Sequence, residues 1–255
     1  AEDSPRWADC LGGPSFQIPA PVLCHALERV APFAATDDSR PVLTGLQCQF
    51  TGDEAIFAAC DGFRLAEFRT EFISEPVSFL LPRRAALQLR ELLGDSTEWV
   101  EVHVAENGRA VQFDLTDTEL SSALLEGVYP NYGPLLKVDQ NGSLTVKASD
   151  LLRAVRTAHI VAREDSGIIR LRFGEGKVVA YAVSEAVGGA DAVVEAVTEG
   201  SGRIALNTSY VQEALSVVGD AEVTMLWQGT ENQVLWHVKD DPGYLSVNMP
   251  MFVSW

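Results

Sequence analysis

The sequence predicts an α+β fold in which one folding unit is used twice in tandem, each copy two helices packed on antiparallel sheet. Three observations lead there. First, the chain repeats itself: Phe16-Gln17-Ile18 and the stretch 21–30 are echoed, from Leu144 onward, by Leu144-Thr145-Val146 and the stretch 149–155, an offset of 128 residues. Second, each copy has the same grammar: a short strand enters a helix, alternating strands follow, then a second helix, then more strands. Third, β-branched and aromatic residues gather in short runs such as Val223-Thr224-Met225-Leu226-Trp227 and Val234-Leu235-Trp236-His237-Val238, as strands require.

Residues 1–15 are polar, carry Pro5, Gly12, Gly13 and Pro14, and read as a leader or linker. The first unit is expected over 16–138 and the second over 139–255, with Asp139-Gln140-Asn141-Gly142 as the turn signal between them. Helices are expected over 20–34 and 82–93 in the first unit and over 149–162 and 208–218 in the second. Leu23, Ala26, Leu27 and Val30, and likewise Leu151, Leu152 and Val155, recur at helical spacing. The echo continues between 46–50 and 169–173, between 80–94 and 204–219, and between 100–115 and 223–238. Gly174-Glu175-Gly176-Lys177 lacks the spacing of a phosphate-binding loop and reads as a hairpin turn between two strands.

Composition bounds the function. In 255 residues, 47% hydrophobic, no run approaches the ~18 apolar residues of a membrane span, so no membrane partner is expected. No basic-then-apolar segment opens the chain. The net charge of −17 opposes nonspecific nucleic-acid binding on average. Cys10, Cys24, Cys48 and Cys60 show no CxxC spacing, so neither structural zinc nor any other metal or cofactor is expected, and a reducing, cytoplasmic setting fits. His25, His103, His159 and His237 are scattered and no catalytic constellation appears, so the chain reads as a non-enzyme.

The bases are not spread evenly. Arg29, Arg83, Arg84, Arg90, Lys147, Arg153, Arg156 and Arg163 lie in or beside the expected helices. At 100° per residue Arg153, Arg156 and Arg163 share one narrow arc, and Arg83 and Arg90 share a face. By themselves these stripes are most simply solvated helix faces, and the fourth helix has no base and carries Glu213.

Four segments resemble a known family, the bacterial sliding clamp, or β subunit of DNA polymerase III. They are Asp38-Ser39-Arg40-Pro41-Val42-Leu43-Thr44-Gly45, Cys60-Asp61-Gly62-Phe63-Arg64-Leu65-Ala66, Glu126-Gly127-Val128-Tyr129-Pro130-Asn131-Tyr132, and Tyr244-Leu245-Ser246-Val247-Asn248-Met249-Pro250-Met251. Each alone is weak; in this order, with the repeat, they are specific. The family clamp has three such units per chain, and two chains ring duplex DNA with helices inside and sheet outside. The resemblance places this chain on the second and third units, so both units are expected to be DNA-clamp units. There are departures: Phe63 stands where the family usually has His, Pro134 replaces a position often basic, Asn248 is polar where the family tends to be aliphatic, and Ser254-Trp255 extend past the usual end.

The resemblance implies a groove between the two units for short peptide motifs of the polymerase, the loader and repair proteins. It would be lined by Leu43, Cys60, Gly62, Phe63, Arg64, Leu65, Pro130, Leu135, Val247, Met249, Pro250, Met251 and Val253. Aliphatic, proline and methionine side chains make an adaptable slot for aliphatic and aromatic anchors. Arg29, Arg83, Arg90, Arg153, Arg156 and Arg163 would face duplex DNA, binding it weakly and without sequence preference. Ile160 and Val161, at the close of the first helix of the second unit, are placed as an exposed aliphatic pair at a subunit contact, which implies a homo-oligomer; a trimer of two-unit chains would restore six units. The leading expectation is a clamp-type tether of replication and repair factors. A second is a clamp-like regulatory module, part of a larger regulator or a decoy for clamp ligands, that keeps the groove without encircling DNA; the lack of a first unit points that way.

Overall fold

A computed structural model describes residues 12–255. The chain divides into two compact units, the first ending at Pro130 and the second running from Asn131 to Trp255. The boundary therefore falls ahead of the Asp139–Gly142 turn. Residues 131–138 go with the second unit, where Gln233 Nε2 donates to the carbonyls of Leu135 and Lys137 at 3.3 and 3.4 Å. Most of the expected leader lies outside the described residues.

The first unit opens with β1 (Ser15–Pro19) and α1 (Ala20–Val30), followed by β2 (Gly45–Phe50), β3 (Glu54–Cys60), β4 (Arg64–Glu71) and β5 (Val77–Pro82). Then come α2 (Arg83–Leu93), β6 (Trp99–Val104), β7 (Ala110–Leu115) and β8 (Thr118–Ala123). Two antiparallel sheets result, β1-β6-β7-β8 and β4-β3-β2-β5. The second unit runs β9 (Gly142–Lys147), α3 (Ala148–Ala162), β10 (Ile168–Gly174), β11 (Lys177–Ser184), β12 (Gly188–Glu195) and β13 (Val197–Glu199). It continues with β14 (Gly202–Asn207), α4 (Thr208–Ser216), β15 (Glu222–Trp227), β16 (Val234–Val238) and β17 (Asp241–Asn248). Its strands order as β12-β11-β10-β14 and, with β13 added at one edge, β9-β15-β16-β17. The two units thus share one topology.

The repeat holds at single-residue register. Ile18 pairs with Val100 in the first unit and its echo Val146 pairs with Val223 in the second. Phe16 pairs with Val102 as Leu144 pairs with Met225. A one-residue slip would turn every one of these apolar side chains to solvent, so the shared pattern enforces the shared pairing. In each unit the two helices pack on each other, α1 on α2 and α3 on α4, burying Leu23, Leu27 and Val30 of α1 and Leu151, Leu152 and Val155 of α3. In the first unit Phe50 lies 4.3 Å from Phe16, ring to ring, tying one sheet to the other.

Two helices end earlier than expected. α1 stops at Val30 and passes into a 3-10 turn over Ala31–Phe33, because Pro32 has no N–H to donate and its ring opposes the carbonyl four residues back. α4 stops at Ser216, with Gly219 beyond it in the left-handed region at φ +64°. The Glu175-Gly176 hairpin forms as expected: Gly174 pairs with Lys177, and both loop residues have positive φ, 53° and 77°.

Candidate functional site

Three of the four motif segments meet in the first unit at the tight turn between β3 and β4. The Asp61 carboxylate organises it, accepting from the amides of Phe63 and Arg64 at 2.9 and 3.0 Å and from Arg64 Nε at 2.9 Å. Arg64 is buried, yet its charge is satisfied: Asp61 takes one edge, the Pro32 carbonyl accepts from Nη2 at 3.1 Å, and the Phe33 ring lies under it at 5.2 Å. Arg40 brings in the first motif, donating from Nη2 to the Asp61 carbonyl at 2.7 Å. Its guanidinium lies over Gly62, where an added β-carbon would stand 2.5 Å from the nearest nitrogen, on a backbone at φ +94°. Tyr129 brings in the third motif: its hydroxyl accepts from the Cys60 amide at 2.8 Å. Burial pushes the Cys60 thiol above its ordinary range, partly opposed by the Tyr129 hydroxyl, so it is a thiol and not an active nucleophile near neutral pH.

This framework sorts the expected groove residues. Leu43, Cys60, Arg64 and Leu65 are buried and act as support; the turn presents Gly62 and Phe63 to solvent, and Phe63 is 56% exposed despite its size. Pro130 is exposed as well. In the second unit Val247 is buried near the end of β17, while Leu135, Met249, Pro250, Met251 and Val253 are half-buried. The Met251 amide donates to the Ala205 carbonyl at 2.8 Å, which fastens this segment alongside β14. Asn248 is explained by a partner: its Oδ1 accepts from Trp236 Nε1 at 3.0 Å inside the unit. Arg40, Asp61, Tyr129 and Trp236 shape these surfaces and were missing from the expected set, although the first three lie within the motif segments.

The expected DNA-facing arginines are largely engaged. Arg153 Nη2 pairs with Asp150 at 2.6 Å, Arg163 Nε with Glu164 at 3.1 Å and Arg90 Nε with Glu28 at 3.7 Å. Arg83 donates to the Ala31 carbonyl at 3.3 Å, and Arg29 is half-buried. Arg156 is exposed on α3 and makes no ion pair among the described residues. The aliphatic pair at the end of α3 is corrected. Ile160 is 61% exposed but Val161 only 8%, because α3 runs on to Ala162 and turns Val161 to the side that buries Ala154 and Ala158. His103, expected to be isolated, has company across the β6–β7 pair: its Nε2 lies 3.3 Å from Asp114 and 3.6 Å from Glu101.

Comparison with known proteins matches each unit to one domain model. Residues 17–131 match the central domain of the DNA polymerase III beta subunit, and residues 135–252 match its C-terminal domain. The chain belongs to the DNA polymerase III beta subunit family. Its relatives in this sliding-clamp family include the beta sliding clamp of Staphylococcus aureus, 27% identical over 242 residues, covering 93% of this chain and 64% of that protein. The beta sliding clamp of Staphylococcus epidermidis is 28% identical over the same length. The chain thus spans 64% of the length of the curated relatives it matches. Among solved structures, the DNA polymerase III beta chain of Streptococcus pneumoniae superposes with a TM-score of 0.91 at 22% identity, covering 99% of this chain and 68% of that one. The Bacillus subtilis sliding clamp gives 0.89 at 23% identity, covering 96% and 66%. These likenesses show a sliding-clamp fold. Among the described residues no helix is long and apolar enough to cross a membrane.

Proposed function

We propose that this chain serves as a non-catalytic, clamp-type tether that holds replication and repair factors to DNA. In this reading a short peptide from the polymerase, the loader or a repair protein engages residues of both units. The first unit contributes the Gly62-Phe63 turn and Pro130, and the second contributes Leu135, Met249, Pro250, Met251 and Val253. Support comes above all from the convergence of the motif segments around Arg40, Asp61 and Tyr129 on one exposed turn, in a chain whose units match the central and C-terminal family domains in order. Half-exposed methionines suit such a slot, since the flexible thioether adapts to different anchors. Contact with duplex DNA would be weak and independent of sequence, carried by helix arginines of which several are already paired with carboxylates.

Calorimetry tests it with a peptide carrying a polar anchor followed by Leu and Phe. Binding at about micromolar Kd, roughly −8 kcal/mol, is expected, with loss when Leu and Phe become Ala. Met251→Ala should weaken binding by about 1–2 kcal/mol if Met251 is an anchor. Equal or absent binding of both peptides overturns the reading.

A further inference from the structure

A second surface, confined to the second unit and separate from the motif segments, carries charge that the fold leaves unused. Arg172 of β10 and Arg203 of β14 are directly opposite each other in register, so their side chains share a face of the sheet, and both are exposed. Like charges placed so are unfavourable unless something neutralises them, yet neither guanidinium makes an ion pair among the described residues. Each is instead held against a ring: Arg203 lies 4.6 Å from the Trp255 centroid and Arg172 lies 6.0 Å from Tyr181. A guanidinium held beside a ring and not paired with a carboxylate keeps N–H groups available for a bidentate acceptor.

Beside this pair opens a cleft of about 630 Å³, within the size range of small-ligand sites. Phe173 beside it is buried, on the opposite face of β10 from Arg172. Trp227 meets Phe173 edge-on at 5.8 Å and donates from Nε1 to the Arg203 carbonyl at 3.1 Å. Gly202 is required there, because an added β-carbon would stand 2.7 Å from the Phe173 ring. The row of the two arginines continues across the sheet into Val179 and Val193. Lys177 adds a third positive charge at the rim, and the one carboxylate in the lining, Glu175, lies 4.0 Å from it. The cleft is therefore cationic on a chain of net charge −17.

We propose that this cleft binds an acidic peptide segment, with two carboxylates on Arg172 and Arg203 and a neighbouring apolar side chain on Val179 and Val193, which continue the row of the two arginines. Charge complementarity selects the carboxylates, and the two valines, Val193 among them 59% exposed, select a peptide over a bare inorganic anion. An extended segment presents residues i, i+2 and i+4 on one face, so Glu-Ser-Glu-Ser-Ile offers two carboxylates and one apolar group together.

Fluorescence anisotropy with that peptide, dye-labelled, tests the assignment on the full chain. Binding is expected to fall with salt, to drop at least tenfold when both Glu become Gln, and to drop at least tenfold in Arg172→Gln and in Arg203→Gln. Thermal melts confirm that each variant is folded, and Arg172→Lys, which keeps the charge and loses the planar fork, should fall between wild type and Arg172→Gln. Arg172→Gln should bind the Leu/Phe peptide of the clamp reading as wild type does, so the two sites stand or fall separately. Equal binding of the Gln peptide, or unchanged affinity in both arginine variants, overturns the proposal. So does displacement by inorganic phosphate at the same concentration as the unlabelled peptide, which would mark a simple anion site. Loss of duplex DNA binding in Arg172→Gln without loss of the peptide would assign the face to DNA instead.

Discussion

The Tyr129 hydroxyl closes the end of β3 by accepting the Cys60 amide hydrogen at 2.8 Å, and it donates to the Cys60 sulfur at 3.4 Å. Both residues are buried. This contact joins segments 69 residues apart and sets where the exposed Gly62-Phe63 turn begins. Tyr129→Phe keeps the ring and removes the acceptor, leaving a buried amide unsatisfied, which costs about 1–3 kcal/mol. Urea denaturation should show that loss as a lower midpoint at constant slope; an unchanged midpoint would show that water or another group replaces the hydroxyl.

Gly62 meets two separate demands, a backbone at φ +94° and the close approach of Arg40. Gly62→Ala is expected to cost roughly 1–2 kcal/mol in backbone strain and to displace the guanidinium from the Asp61 carbonyl. Stability and affinity for the Leu/Phe peptide should therefore fall together. Arg40→Ala relieves the steric half alone, so the double variant should recover part of the stability lost in Gly62→Ala. Strict additivity of the two substitutions would show that the residues do not touch.

The repeat was legible because strand pairing obeys apolar alternation, and Ile18–Val100 and Val146–Val223 obey it identically. Helix existence was legible for the same reason, helix ends less so: Pro32 stops α1 in a way the apolar spacing of 23–30 does not reveal. Burial at the candidate site was harder to read. A charged residue such as Arg64 is expected at the surface, and only the meeting of Asp61, Pro32 and Phe33 makes its burial possible. Val161 was misjudged by treating it as Ile160's companion, when successive helix residues stand about 100° apart and Val161 falls on the buried side with Ala154 and Ala158. The Arg172–Arg203 pair was invisible because it depends on cross-strand register between segments about 30 residues apart, which no local pattern encodes.

His237 supplies a pH dependence. It lies in β16 between Thr224 and Leu245, and burial pushes its pKa below the ordinary histidine range. Above about pH 6.5 the imidazole is neutral in both folded and unfolded chains and has no effect. As pH falls, the unfolded chain takes up the proton first, so stability is lost from about pH 6.5 down through the folded pKa. His237→Gln should flatten the stability profile across that window, read from thermal melts at several pH values. A profile identical to wild type would place the acid sensitivity elsewhere.

The ion pair between Arg153 and Asp150 bears directly on the proposed DNA contact through α3. Arg156→Ala should lower the salt slope of duplex binding by about 0.9, the worth of one phosphate contact. Asp150→Asn frees Arg153 from its 2.6 Å partner and should strengthen binding and steepen the slope by a similar amount. Titrations at several salt concentrations read both changes. Insensitivity of the slope to either substitution would remove α3 from the DNA-facing surface.

Ile160 stands 61% exposed in the last turn of α3, while Val161 beside it is buried. An isolated exposed isoleucine is ordinary on a protein surface, so its weight comes from its surroundings. It follows Arg153 by two helical turns on the same face, a face otherwise polar, and burial of that one side chain would contribute about 1.5–3 kcal/mol per copy to an association. Ile160→Asp would place a carboxylate in the contact and abolish it, whereas Val161→Asp would instead unfold the second unit by burying a charge. Light scattering at tens of micromolar should therefore show wild type larger than its monomer mass and Ile160→Asp at the monomer mass with an unchanged melting temperature. A wild type that is monomeric, and indifferent to the substitution, would leave Ile160 as an ordinary surface residue and remove self-association through this helix.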